Sequence, residues 1–191
     1  GDVHFIDQNG DGVINEADKV VIGNPNPDIY GNLFTTLNYK RLRLDVNFKY
    51  SLGNDVYNYQ RSVLEGGNTT YNQTTAMVNR WTYEGQQTSV PRACYTDSKD
   101  WRDNERFSDR WIEDGSYLKL KNVRLTYDIP YSSTWLQGLK VWGEANNLFT
   151  VSKYLGTDPE TSSRNSVLYR GIDTGMLSLG RSFNIGVSIN L

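Results

Sequence analysis

The sequence DRWIEDGSYLKLKNVRLTYDIP, residues 109–130, decides the fold of this chain. An Asp-Gly turn at Asp114 and Gly115 opens it, and the chain then runs without Gly or Pro as far as Pro130. From residue 122 apolar and polar residues alternate strictly, which predicts a β-strand longer than the usual length of about five or six residues. Its two faces carry Val123, Leu125, Tyr127 and Ile129 on one side and Asn122, Arg124, Thr126 and Asp128 on the other.

We predict four further strands at residues 31–39, 42–52, 139–150 and 178–191. The same alternation recurs in the first two and, from residue 182, in the last. Residues 42–52 keep their phase throughout, with one wholly apolar face and a second face that carries Arg43, Asp45 and Lys49. A strand that crosses a bilayer needs roughly nine to eleven residues, apolar toward lipid and polar toward a wet lumen. A half-buried strand of a soluble sandwich shows the same alternation, so the length of these strands is what favours a barrel.

Composition points the same way. The chain has 191 residues, a net charge of −2, thirteen Tyr and five Trp, yet its mean hydropathy is −0.61. Aromatic girdles around a polar lumen make a membrane barrel look hydrophilic on average, and the balanced charge argues against nucleic acid as a partner. The single Cys94 allows no intrachain disulfide. Because the chain begins at Gly1 without Met or a signal peptide, we expect a processed or truncated piece of a longer protein.

Residues 7–18, DQNGDGVINEAD, match a twelve-residue calcium loop. Oxygen ligands at alternating positions let a short loop wrap a hard cation, and a glycine, here Gly12, allows the sharp turn. The sequence departs from EF-hands at position twelve, where they favour Glu, and the other interpretation is an Asx-rich turn without metal. The predicted Ca²⁺ ligands are Asp7, Asn9, Asp11, the Val13 carbonyl and Asp18.

Residues 53–115 form a long connection that is rich in Tyr and Trp. Disordered segments lack such residues, so we expect this connection to be folded, with two helical turns over residues 73–81. Its aromatic side chains could grip a partner or a sugar ring, or could pack the connection against itself. Trp101 and Trp111 are the candidate partner anchors.

An enzyme is not expected. His4 is the only histidine, which excludes zinc clusters built from several histidines and disfavours a Ser-His-Asp triad. Carboxylates such as Asp109, Glu113 and Asp114 could serve glycoside hydrolysis in principle, but at turn positions their simpler role is capping and solvation.

Five motifs in chain order resemble SusC/RagA-type TonB-dependent outer-membrane transporters. They are the DxNGDG loop, IGNPNPD at 22–28, NRWTYEGQQTSVPRA at 79–93, the opening stretch, and NNLFT followed by KYLGTDPE at 146–160. Leu191 departs from the terminal Phe usual in barrel assembly signals. The resemblance implies an all-β chain: antiparallel transmembrane strands from the C-terminal part of a large barrel of about 22 strands. It also implies localisation in the outer membrane and import of an oligosaccharide or peptide with a SusD-like lipoprotein. TonB would act through a plug outside this segment.

Link lengths predict the topology, because short periplasmic turns alternate with long extracellular loops in such barrels. The expected order is an extracellular loop at 1–28, a hairpin at 29–52, an extracellular loop at 53–115, a hairpin at 116–150, an extracellular loop at 151–177 and a terminal strand at 178–191. The predicted lipid-facing residues are Leu44, Val46, Phe48, Val123, Leu125, Tyr127, Ile185, Val187 and Ile189. The predicted lumen-facing residues are Arg43, Asp45, Lys49, Arg124 and Asp128.

The alternative hypothesis is a secreted, calcium-stabilised β-sandwich that binds carbohydrate. It accounts for the aromatic residues and the acidic loop. It does not account for the strand lengths or for the alternation of short and long links.

Overall fold

Five long strands make up one antiparallel sheet in the computed structural model, which describes residues 1–131, 133–160 and 167–190. The bounds of these strands are β1 Ile29–Tyr39, β2 Leu42–Leu52, β5 Tyr117–Ile129, β6 Gly138–Ser152 and β8 Ser182–Asn190. Their order in the sheet is β1-β2-β5-β6-β8. The five predicted strands are therefore confirmed, although the last begins four residues later than expected and Leu191 lies outside the described residues.

The register of the sheet places the predicted residue sets on opposite faces. Residues directly opposite each other in an antiparallel pair lie on the same face, and Leu44 pairs with Leu125 while Asp45 pairs with Arg124. Strand β6 carries the pattern on to β8, where Ile185 and Val187 continue the apolar face. None of the residues that the register assigns to this face is charged. Segregation of the two sets is thus observed, whereas the surroundings of each face remain a prediction.

A bulge in the middle of the sheet explains why strict alternation begins only at Asn122. Lys121 has no partner in β2, because Leu120 pairs with Phe48 and Asn122 pairs with the neighbouring Asn47. The extra residue shifts the alternation of side chains along β5 by one position. The sequence changes its polar–apolar phase at the same place, so polar residues lie on the polar face both before and after the bulge. Lys121 therefore adds a lysine to that face without reversing the strand.

The sheet has a short-link end and a loop end. Two residues join β1 to β2, and Lys40 has a φ of 53°, the left-handed conformation that a tight turn requires. The β5–β6 connection is at the same end, and its residue 132 is outside the described residues. The segment before β1 and the long β2–β5 and β6–β8 connections lie at the opposite end; residues 161–166 of the last are also outside the described residues.

The connections at the loop end are folded. A three-stranded sheet contains β3 (Asp55–Asn58), β4 (Ile112–Asp114) and β7 (Ile172–Asp173) in the order β4-β3-β7, and the helix α1 spans Tyr59–Glu65. The helical turns predicted for residues 73–81 are a 3₁₀ helix at Thr75–Asn79, and three more 3₁₀ helices span Glu16–Asp18, Asp109–Trp111 and Val167–Tyr169. Residues 1–6 form no strand. No helix in the described ranges has the length and apolarity to cross a membrane.

Candidate binding surface at the loop end of the sheet

The loop end is built around a buried ion-pair cluster that α1 and β4 position. Arg61 lies 3.0 Å from Glu65 and 2.8 Å from Glu113, and its guanidinium lies over the Trp111 ring, 5.5 Å from the ring centroid. Glu113 also accepts a hydrogen bond from the Leu155 backbone N–H at 2.8 Å. A charge-assisted network of this kind is strong because its members are shielded from water and mutually paired. It fixes the long β2–β5 connection against the β6–β8 connection.

Trp111 is an internal residue of this cluster. Its side chain is fully buried, and its indole N–H donates to the Arg106 carbonyl at 3.1 Å. Trp111 therefore packs the connection against itself and is not a surface anchor in this structure, which corrects the role predicted for it. Trp101 is 36% exposed and does lie at the surface.

Other aromatic and apolar side chains of the loop end are more exposed than Trp101. Tyr71, Val78 and Tyr83 are 70%, 77% and 64% exposed and belong to the segment between α1 and β4. The loop end also contains an apolar hollow of about 340 Å³, lined by both loop and small-sheet residues. Its apolar lining includes Val20, Ile22, Tyr57, Phe107, Ile112 and Ile172. Exposed apolar surface of this kind, rimmed by polar residues, marks interaction sites.

The acidic loop at residues 7–18 turns sharply at two glycines. Gly10 and Gly12 have φ values of 76° and 81°, which lets the backbone turn around a centre. Asp7 accepts hydrogen bonds from the N–H groups of these two glycines at 2.7 Å each. Asp18 accepts from Gln8 at 2.9 Å and from Asn15 at 2.7 Å, and hydrogen bonding to the Asn15 backbone lowers the pKa of Asp18.

The donor types of this loop fit a hard cation, since carboxylate and carbonyl oxygens are the ligands that Ca²⁺ prefers. The carboxylates are occupied by backbone N–H groups, however, and Asp11 accepts from the Val13 N–H at 2.8 Å. Within the described ranges, no group of three or more His, Cys, Asp or Glu side chains converges in a metal-holding arrangement. Ca²⁺ binding through Asp7, Asn9, Asp11, Val13 and Asp18 therefore stays a prediction.

A lysine cluster on the polar face was not predicted from the sequence. Residues 154–160, which we call the strap, leave the end of β6, cross β5 and reach β2 on this face. Lys119 Nζ lies 2.8 Å from both carboxylate oxygens of Asp158 and 2.8 Å from Glu160. Glu160 also pairs with Lys49 and, at 3.4 Å, with Lys121. Three ammonium groups from two strands thus surround one carboxylate.

Burial and charge set the electrostatics of the strap. The Lys119 side chain is 2% exposed. Burial raises the pKa of Glu160, but hydrogen bonds and charges from Lys119 and Lys49 outweigh burial and hold this pKa at about 2. At the other end of the strap, the Tyr154 hydroxyl donates to Asp173 at 2.5 Å, and burial followed by this hydrogen bond raises the pKa of Tyr154. The strap is therefore anchored at both ends.

This cluster could not be predicted from the sequence, because Lys49 and Glu160 are 111 residues apart. One local signal exists. The adjacent polar residues Lys121 and Asn122 break the alternation at the bulge, and both belong on the polar face. The break marks a place where an additional polar side chain is accommodated.

Comparison with known proteins assigns the chain to a class. It is 34% identical over 97% of its length to TonB-dependent receptor P3 of Formosa agariphila. It is 27% identical, again over 97% of its length, to TonB-dependent receptor SusC of Bacteroides thetaiotaomicron. The structure of the RagAB peptide importer in its closed-closed state matches 92% of the chain with a TM-score of 0.74 and 26% identity. No family model matches.

The chain is homologous to a segment of the TonB-dependent receptors. Within that class its relatives include SusC and RagAB, as the five motifs predicted. The chain spans less than a fifth of the length of each of these relatives. The names of these relatives are those of receptors and importers and not of enzymes, in keeping with the expectation for this chain.

Proposed function

We propose that this chain forms part of the wall and the outer mouth of an outer-membrane β-barrel that imports nutrients in a TonB-dependent manner. The observation that carries the proposal is the five-stranded sheet, whose uncharged face is laid open: Ile185, Val187 and Ile189 are 90%, 59% and 62% exposed. Such a face in water is an aggregation hazard, whereas lipid would cover it at no cost.

The dimensions of the apolar face suit a bilayer. Tyr39 and Tyr127 share one row near the short-link end, and Tyr50 lies near the loop end. Positions 42 and 50 of β2, which mark these rows, are eight residues apart, or about 26 Å along the strand. With a strand tilt of about 35–45° this gives a height of roughly 20 Å, comparable to an apolar band of about 25 Å between aromatic girdles.

Both edges of the sheet support a larger barrel. Strand β1 has eleven residues and β8 has nine, and neither contains a charged residue or a proline. Proteins protect exposed edges with charge, proline or short strands, and hydrocarbon tolerates no unpaired backbone groups. We therefore infer that further strands outside this chain pair with β1 and β8 and close the barrel, which the resemblance puts at about 22 strands.

The loop end supports a role at the mouth, facing the outside. Its folded connections, exposed aromatic side chains and apolar hollow suit a protein partner, because interface energy concentrates in aromatic residues. The proposed partner is a SusD-like lipoprotein that shares the substrate, with TonB acting on a plug elsewhere in the receptor. The substrate class is an oligosaccharide or a peptide; one relative bears the name of a peptide importer.

A pair of substitutions in β8 tests the lipid-facing assignment. Phe183 and Asn184 lie on opposite faces, and Phe183 is in the row of Val46, midway between positions 42 and 50 of β2. An Arg facing the bilayer midplane costs about 2–4 kcal/mol, while an Arg facing a wet lumen is tolerated. In the intact receptor, Phe183→Arg should sharply reduce the amount of heat-modifiable folded protein in the outer membrane, and Asn184→Arg should leave it near the wild-type level. Equal amounts for the two variants would contradict the assignment.

The secreted sandwich is less well supported. A sandwich covers its apolar face with a second sheet about 10 Å away. In the described ranges the second sheet is the three-stranded one at the loop end, and the apolar side chains of β8 stay exposed.

A further inference from the structure

We propose that the strap masks an anion-binding site formed by Lys49, Lys119 and Lys121, which multivalent oxyanions such as phosphates or polycarboxylates can occupy. The carboxylate of Glu160 occupies the position of such a ligand, with Lys119 at 2.8 Å and Lys121 at 3.4 Å. The inference is independent of the transport role, because all of its residues belong to one face of the described sheet and its loop.

The charge balance of the site favours an anion. Three lysines face two strap carboxylates, Asp158 and Glu160, so the closed arrangement keeps one excess positive charge. Removing two carboxylates without replacement would leave three ammonium groups together, with Lys119 almost fully buried. Like charges in a poorly solvated site are costly. When the strap detaches, an incoming anion therefore makes the ionic interactions with the lysines that the strap carboxylates give up.

The fold of the strap allows it to detach separately from the sheet. Apart from these ion pairs, the hydrogen bonds that hold it to other segments come before Asp158. Tyr154 contacts Asp173, Leu155 contacts Glu113, and Thr157 donates to the Met176 carbonyl at 3.1 Å. The ladder hydrogen bonds of β2, β5 and β6 do not involve the strap. Loops with few backbone partners open at lower free energy than the strands beneath them. The Tyr154 end is thus a fixed hinge and the Asp158–Glu160 end is the part that moves.

The strap carboxylates and an anion cannot bind the same lysines together. Hydrogen exchange of the strap in the intact receptor therefore tests the proposal directly. Inorganic pyrophosphate should speed the exchange of strap peptides about threefold or more beyond sodium chloride of equal ionic strength, with β5 and β6 unchanged. Citrate in a parallel arm separates carboxylate from phosphate preference. Identical exchange in both anions and in chloride would overturn the proposal.

Substitutions locate the effect. Lys119→Met should raise strap exchange in chloride and abolish the additional effect of pyrophosphate, whereas Lys99→Met, which removes the same charge from an exposed loop position, should preserve it. Because Lys119 is buried, its replacement can impair folding; Lys49→Gln, at a side chain 35% exposed, is the second variant and should reduce the pyrophosphate effect. A pyrophosphate effect of wild-type size in Lys49→Gln, or in a folded Lys119→Met, would place anion binding elsewhere.

Discussion

At the scale of single residues, the carboxylates of the acidic loop are held by hydrogen bonds from the loop itself. Asp11 accepts hydrogen bonds from the Val13 N–H and the Asn9 amide at 2.8 and 3.0 Å. Ca²⁺ would compete with these weak exposed bonds and would draw the loop carboxylates together.

Asp11→Ala is expected to weaken Ca²⁺ binding about tenfold or more, because affinity follows the number of charged ligands. Calorimetry on the intact, chelator-treated receptor would measure it. Asp97→Ala, which removes an exposed acid from a different loop, is the matched control and should bind like the wild type. Absence of heat in the wild type, or equal heat in both variants, would refute the calcium site and leave an Asx-rich turn.

Glu160 should give the strap a distinctive pH dependence. Its folded pKa of about 2 lies below the ordinary 4.5, so its stabilisation is fully present above pH 4.5 and is lost as the pH falls toward 2. The difference corresponds to at most about 3 kcal/mol. Hydrogen exchange of residues 154–160, corrected for intrinsic rates, should thus show the strap still protected at pH 4. Protection that does not fall as the pH drops from 4.5 to 2 would mean that the folded strap does not lower the pKa of Glu160.

At the scale of elements, sequence analysis succeeded where one rule governs many residues. Four of the five long strands were predicted because period-two alternation repeats along them and reports a two-sided environment. The short strands β3, β4 and β7 and the helix α1 were missed, since two to seven residues carry no periodicity and their pairing depends on contacts far along the chain. The parallel pairing of Tyr57 with Ile172 is such a contact.

The bulge in β6 was also not predicted from the sequence. It requires a left-handed backbone conformation at one residue, which can be tested. Two residues of β6, Asn147 and Leu148, lie opposite Lys121 alone, and Asn147 has a φ of 52°. Asn tolerates this left-handed conformation, whereas β-branched residues rarely adopt it. The Asn147 amide also donates to the Gly180 carbonyl at 3.2 Å, which ties the bulge to the chain just before β8.

Asn147→Val should therefore destabilise the sheet by about 1–3 kcal/mol, the usual cost of strained backbone. Asn147→Gly should cost less, because glycine adopts the same φ freely and only the side-chain hydrogen bond is lost. The variants would be ranked by the temperature at which half of the receptor has lost its folded, heat-modifiable form. If Val is tolerated as well as Gly, the bulge does not have this backbone conformation.

At the scale of the whole molecule, the loop end combines a rigid interior with an apolar exterior. Arg61, Glu113 and the buried Trp111 hold the connections together, while Tyr71, Val78 and Tyr83 project outward. This division could not be predicted from the sequence, where all the aromatic residues of 53–115 look alike. Burial separates them, and it depends on ion pairs such as Arg61–Glu113, whose partners are 52 residues apart.

The partner hypothesis is therefore best tested with point substitutions. Removing residues 66–88 would also remove Met77, which is 3% exposed, and would damage the interior. Combined Tyr71→Ser, Val78→Ser and Tyr83→Ser substitutions change exposed side chains alone, so the receptor should fold normally. They should lower co-purification of a SusD-like lipoprotein, because a handful of residues, Tyr and Trp prominent among them, dominate the energy of protein interfaces and cost about 2 kcal/mol or more each when truncated. Trp101→Ser extends the test to the remaining candidate anchor, and Trp111→Ala is the contrasting variant that should lose folded receptor as well as partner. If the exposed-residue variants recover as much lipoprotein as the wild type, the interface lies outside this part of the loop end. If no outer-membrane protein co-purifies with the wild-type receptor, the partner hypothesis is wrong.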